Sequence, residues 1–335
     1  MLAILKALSL AVRRDFATFQ SIKVNNFFLF VALLMYGALE SGVQPASAYP
    51  FLLLLGFLLL FPLSSDPLAR IPPDRLACWP LGGGQRLALR LTSLALSPVL
   101  WLTVLLMLKT SVSLALFFLG TAIAMQASII LGRRVAFAAP RGNPLRAIPP
   151  IPGRLGGLVR LNVRQMLCVL DFYVALLLSS GGAVYRFLTP HPDPDAFPIL
   201  ALLVALALST YAQCLFALDS SSGSTRYRLL PLRGWQILLA KDIAFLGVLL
   251  VLVLPLSPWP GLTFGLAALA IGHFPSVRLS RPQMRWRFSS GRLVFGAAQV
   301  VSGIALGLAE YQRGAGFLLF AAAACILSLW RASPE

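Results

Sequence analysis

Apolar residues run in long blocks along this chain, broken at intervals by short basic and proline-rich segments. The blocks are Val24–Ser41, Tyr49–Leu63, Leu91–Leu108, Val112–Leu131, Met166–Phe187, Phe197–Leu218, Ile243–Leu256, Gly261–Phe274, Leu293–Glu310 and Gly314–Trp330. A helix needs about 20 apolar residues to cross the hydrocarbon core of a bilayer, so the pattern predicts about ten spanning helices. The eighth block gives the weakest signal. Ahead of the first block the period changes. In MLAILKALSLAVRRDFATFQ, Leu5, Leu8, Val12, Phe16 and Phe19 share one helical face, while Lys6, Ser9, Arg13 and Gln20 fall mostly elsewhere. That spacing predicts an amphipathic helix lying on the membrane surface. Its Arg13-Arg14 pair follows the apolar run instead of preceding it, so the segment is not expected to be a cleaved signal.

Composition fixes the solvent. Of 335 residues, 58% are hydrophobic and 12% charged, and the mean hydropathy is +0.83. The expected fold class is an all-α polytopic membrane protein, its surface facing membrane lipid. A net charge of +17 taken alone points to nucleic acid. Its placement points elsewhere. With the N-terminus inside and the spans alternating, only Lys109, Arg186 and Arg313 fall on the far side. The charge is then the cytoplasmic excess of Lys and Arg that orients membrane proteins, with both termini cytoplasmic and no nucleic-acid partner expected. Arginine far outnumbers lysine in a chain rich in Leu, Ala and Pro, a composition of GC-rich bacterial genomes; the expected location is a bacterial inner membrane. Cys78, Cys168, Cys214 and Cys325 share no short spacing and read as small buried hydrophobes.

The basic segments are not independent. DRLACWPLGGGQRLALR (Asp74–Arg90) and RYRLLPLRGWQILLAKD (Arg226–Asp242) align without a gap at an offset of 151. Arg75 meets Arg226, Pro80 meets Pro231, Gly83 meets Gly234, Gln85 meets Gln236 and Arg90 meets Lys241. The same offset carries the first four apolar blocks close to the next four, and Leu10, Val12 and Arg13 onto Leu161, Val163 and Arg164. The expected organisation is an interfacial helix (1–23), a first transmembrane repeat (24–139), a Pro/Arg-rich cytoplasmic linker (140–157), a second repeat (158–292) and a C-terminal helix pair with tail (293–335). Four spans per repeat is an even number, which makes the repeats parallel. Within each phrase, proline suits a first helical turn and the closing Arg or Lys suits a membrane boundary. A short surface helix presenting Gln and Arg to the cytosol is expected there, as a docking surface.

The second copy, extended to YAQCLFALDSSSGSTRYRLLPLRGWQILLAKDIAFL, resembles a segment of bacterial type-2 ABC-exporter permeases. In that family a helix ends near a Phe-Gly-x-Asp-like element, followed by Gly, Arg, a hydrophobic pair before Pro, and a Leu-x-Gly-Lys approach to the next helix. Phe216, Asp219, Gly223, Arg226, Pro231, Leu238 and Lys241 match, whereas Ala217 and Ala240 stand where the family has Gly. Ser65, Asp66, Arg75, Pro80, Gln85 and Arg90 of the first copy match more loosely. The likeness covers about 30 residues per copy, in a layout of several spans compatible with the family. It implies a permease subunit, as a homodimer or heterodimer, that docks a cytosolic ABC ATPase, itself expected as a dimer. The docking residues implied are Arg75, Pro80, Gln85, Arg90, Asp219, Arg226, Arg228, Pro231, Arg233, Gln236 and Lys241. The chain itself is expected to bind no cofactor, ATP and magnesium belonging to the ATPase.

Nothing in the sequence assembles a catalyst. Gly82-Gly83-Gly84 is followed by Gln-Arg and lacks the Lys-Ser/Thr of a phosphate-binding loop. Asp171 is the one acid clearly inside an apolar block, read either as a functional carboxylate or as a hydrogen-bonding or ion-pairing partner above Arg164. Gln126, Gln213 and Gln299 join it as intramembrane polar candidates, for helix packing or for lining a path. Asp66 and Asp74 are separated by Pro67, Pro72 and Pro73, which breaks a shared helical face. His191 sits in a proline-stiffened turn with Asp193 and Asp195, and His273 ends a span, leaving no evident metal or nucleophile-base constellation. Two alternatives stay open: a membrane enzyme acting on lipid, if Asp66, Asp74 and Asp171 converge, and a scaffold anchoring a cytosolic partner.

Overall fold

The computed structural model describes residues 23–31, 98–108, 111–132, 151–219, 231–278 and 288–332, with isolated positions that include Gly82, Gln85 and Tyr227. The protein is an all-α membrane protein, its described residues helical apart from one two-residue antiparallel pairing, β1 (Lys23–Val24) with β2 (Gly291–Arg292). Three described helices are long and apolar enough to cross a membrane, and a fourth span is reached if one bent pair counts. The chain divides into two compact units. One holds Met1–Ile22 with Phe28–Asn143, the other Lys23–Phe27 with Pro144–Glu335. Most of the N-terminal amphipathic segment, the Tyr49–Leu63 block, and Arg75, Pro80 and Arg90 lie outside the described residues.

In the first unit, α1 (Pro98–Leu108) and α2 (Val112–Gly132) pack on each other. Leu100, Val104 and Met107 of α1 are buried, as are Leu114, Phe118 and Ala122 of α2, at three- and four-residue steps.

The second unit opens with α3 (Gly156–Met166), whose Val159 and Val163 pack with Leu155 and Leu158 against Ala240 and Ala244. An 82° bend at Leu167–Val169 separates it from α4 (Leu170–Leu188). The sequence predicted one block opening at Met166. The chain turns instead, with Val169 extended (φ −110°, ψ 139°). Four further helices follow α5 (Ala196–Ala212): α6 (Gly234–Val253), α7 (Pro258–Arg278), α8 (Leu293–Arg313) and α9 (Gly316–Ala332). Hydrogen bonds draw the α3–α4, α5–α6 and α7–α8 connections together: Gln165 to Asp219, Lys241 to Asn162, Ser289 to Asp171 and Arg292 to Gln213.

Two expectations meet the structure here, the first borne out and the second changed. The weak eighth block, Gly261–Phe274, becomes α7, 21 residues long and packed against α5, α6, α8 and α9. Its polar ends hid its length: Pro258 and Pro260 occupy a first turn where a missing N–H costs nothing, and His273 and Ser276 are buried. The second concerns the surface helix expected before Ile243. Among the described residues of the second copy, the stretch before Ile243 belongs to the long helix itself, because α6 runs unbroken from Gly234. Lys241 and Asp242, which mark a boundary in the sequence, are inside the bundle and paired there.

Close packing at the centre relies on small residues. A Cβ built on Gly272 of α7 would stand 2.6 Å from the Ala212 carbonyl oxygen at the end of α5. Contact between these backbones therefore requires glycine.

Candidate functional site

Chain geometry at the connection end concentrates the buried polar residues. After α5 stops at Ala212, successive three-residue turns (Gln213 N–H to Thr210 O, Cys214 to Tyr211, Ala217 to Cys214, Asp219 to Phe216) carry the chain to Asp219. There the Asp219 carboxylate meets Lys241 of α6, Nζ to Oδ2 at 2.9 Å. Lys241 is 2% exposed. An ammonium has three protons, and all three find acceptors: Asp219, Asn162 Oδ1 of α3 at 3.1 Å, and the Leu215 carbonyl at 2.7 Å. The Phe216 and Tyr227 rings lie 4.7 and 5.7 Å from the charge. On the other carboxylate oxygen, Gln165 Nε2 donates at 2.9 Å and Tyr227 OH at 3.0 Å. Burial of the Tyr227 phenol, with the Asp219 charge next, pushes its pKa above the usual tyrosine range, so it remains a donor.

One ion pair thus ties four pieces together: α3, the end of α5, the α5–α6 loop and α6. Of the residues expected to dock a partner, Asp219 and Lys241 face inward instead. Their charges are consumed within the fold, since a buried ion of either sign needs its partner. Pro231, Arg233 and Trp235 are exposed along the approach to α6. Arg226 and Arg228 lie outside the described residues.

Gln236 has a local task. Its Oε1 accepts the Arg233 backbone N–H at 2.9 Å, satisfying a donor just ahead of the first helical turn. In the other unit Gln85 Oε1 accepts the Gly82 N–H at 3.3 Å. Both bonds join residues three apart and occupy matching places in the repeated phrase. Glutamine recurs there as a helix cap.

A second cluster lies beside the first. Asp171, buried in the first turn of α4, accepts Asn25 Nδ2 at 2.6 Å and the Ser289 N–H at 2.8 Å. Its partners are therefore neutral donors from distant parts of the chain, and the ion pair with Arg164 is not formed. Gln213 and Gln299 also come together: Gln299 Oε1 accepts Gln213 Nε2 at 2.7 Å and Asn26 Nδ2 at 2.9 Å, while its own amide donates to the Ala268 carbonyl at 2.7 Å. Asn26 Nδ2 also donates to Ser209 Oγ at 2.9 Å, and its backbone N–H donates to Thr210 Oγ1 at 2.8 Å. Gln126 belongs to α2 of the other unit, its side chain outside the described residues. These contacts are packing bonds between protein groups. Asp66 and Asp74, the acids a lipid enzyme would need beside Asp171, are outside the described residues.

Sequence reasoning passed over Asn25, Asn26, Asn162, Gln165 and Tyr227. A usable signal exists for the first two: an Asn-Asn pair where a basic segment meets an apolar block has no helical reason to be there. His273 was taken as isolated, and is not. Its Nε2 lies 3.0 Å from Asp242 Oδ1 and its Nδ1 2.7 Å from Ser328 Oγ, joining α6, α7 and α9. No protein-family model, curated protein or solved structure matches this chain.

Proposed function

We propose that this chain is the membrane subunit of an ABC-type exporter, driven by a separate cytosolic ATPase that docks on its basic loops. The observation that carries the reading is the buried Lys241–Asp219 pair, with Gln165 and Asn162 of α3 and Tyr227 of the loop bound to it. A subunit that receives mechanical work at a loop must pass it to its spans without slack, and small shifts are transmitted by stiff, fully satisfied contacts. Here the α5–α6 loop cannot move without carrying the ends of α5 and α6 and the amphipathic helix α3. In this reading the connection end is cytoplasmic, the repeated phrases are two handles for an ATPase dimer, and ATP and magnesium stay on the partner. About ten spans in two parallel repeats with a C-terminal pair complete the proposed layout.

Exposed Arg233 and its neighbour in the phrase, Arg226, supply the charge for docking. The test is affinity purification of the full chain in mild detergent, with co-purifying proteins identified by mass spectrometry. A stoichiometric ATPase carrying a phosphate-binding loop is the expected result. In the Arg226→Glu/Arg233→Glu chain that ATPase should be depleted about tenfold or more while membrane insertion is unchanged, consistent with loss of close charge pairs at an interface. An intact preparation with no ATPase, from membranes where cross-linking also captures none, overturns the reading.

A further inference from the structure

We infer that Asp242, His273 and Cys325 form a binding site for a divalent metal ion of the zinc class. Each comes from a different helix, α6, α7 and α9, and all three are buried. One oxygen, one ring nitrogen and one sulfur lie within 4.8 Å of one another, a separation that a single central ion closes with small side-chain adjustments. At a tetrahedral zinc the three bonds are about 2.0–2.3 Å, which sets neighbouring ligand atoms a little over 3 Å apart; His273 Nε2 and Asp242 Oδ1 are already 3.0 Å apart.

Hydrogen bonding around the imidazole prepares it. Ser328 Oγ donates to the Cys325 carbonyl at 2.8 Å, one turn back on α9. With its only proton used there, the hydroxyl accepts from His273 Nδ1–H at 2.7 Å. That tautomer turns the Nε2 lone pair toward the Asp242 carboxylate. Two lone pairs facing each other in a buried site repel unless a proton or a metal ion joins them. A metal ion does so while also engaging the Cys325 sulfur, and the Ser328 contact is the kind of outer bond that orients ligating histidines.

Charge balance selects the ion. Asp242 contributes one negative charge, and Cys325 a second once its thiol releases a proton to solvent on binding. A divalent ion then makes the site neutral, which burial among apolar helices demands. The mixed sulfur, nitrogen and oxygen set favours zinc-like ions over magnesium or calcium, which take oxygen ligands. Three protein ligands leave a fourth position for water. Bound metal would fasten α6 to α7 and α9 one residue away from Lys241.

The experiment uses the full chain in detergent with Cys78, Cys168 and Cys214 replaced by Ser, so that Cys325 is the sole thiol. After chelator treatment, cobalt(II) is titrated in. The expected result is one cobalt per chain, with visible bands of a tetrahedral ion and a near-ultraviolet thiolate-to-cobalt band, all displaced by zinc. Cys325→Ser should abolish the thiolate band, and His273→Gln should weaken binding at least about tenfold. Zinc should also raise the unfolding temperature of the parent chain but not of Cys325→Ser. Failure to bind stoichiometric cobalt, or bound cobalt whose spectrum survives Cys325→Ser, overturns the site and leaves a hydrogen-bonded Asp-His-Ser relay.

Discussion

Lys241 is the residue on which the connection end depends. Its three protons are all spent on Asp219, Asn162 and Leu215, and no water is needed to complete them. Lys241→Met strands a buried carboxylate, so a loss of about 3–5 kcal/mol is expected in detergent unfolding. Lys241→Met/Asp219→Leu removes both charges and should recover most of that stability; a double variant no more stable than the single one would mean that the pair is not the anchor. Tyr227 gives a pH test. Its raised pKa favours the protonated phenol in the fold, so the stability it adds is present below the unfolded value of about 10 and is lost as pH rises toward the folded one. Ultraviolet titration of the parent chain against Tyr227→Phe should show no phenolate from Tyr227 at about pH 10. The sequence revealed that Asp219 and Lys241 matter but reversed their direction, because a charged residue beside an apolar block reads as a boundary. Whether a charge faces out or in depends on a partner, and Asn162 lies 79 positions from Lys241. No local pattern encodes that distance.

At the level of helices, hydrophobic patterning located the second unit well and its ends poorly. All six apolar blocks after Pro144 correspond to helices, since any long apolar run in this chain must bury its backbone polar groups internally. The errors fall where buried polar residues interrupt the pattern: Lys241 and Asp242 in α6, His273 in α7, and the turn before Asp171 in α4. Helix contacts offer a cleaner test than helix ends. Gly272→Ala pushes a methyl group into the Ala212 carbonyl and should cost about 1–3 kcal/mol in unfolding experiments. Gly247→Ala on α6 meets nothing within 4 Å and should be neutral or stabilising by up to about 1 kcal/mol. Equal effects at the two positions would contradict the α5–α7 packing.

For the whole chain, the proposed topology places residues 189–195 outside and residues 140–157 inside. Single cysteines introduced at Thr189 and Arg154 of a cysteine-free chain should react with an impermeant thiol reagent in intact cells at the first position and not the second. The reverse pattern would invert the membrane orientation and remove the proposed cytoplasmic handles. A different consequence follows from residues Lys23–Phe27, which belong to the second unit although they stand at the start of the first apolar block. Asn25 completes the Asp171 carboxylate together with Ser289, and Asn26 binds Gln299. During synthesis these two asparagines emerge early, yet their partners Ser289 and Gln299 are made near the end. The second unit therefore cannot finish assembling until the ribosome has passed Gln299, and the N-terminal segment must be kept accessible until then. Expressed alone, the 144–335 fragment lacks the Asn25 donor to a buried carboxylate and should be degraded or aggregate. Co-expression of the 1–143 fragment should rescue it, and Asn25→Leu in that fragment should abolish the rescue.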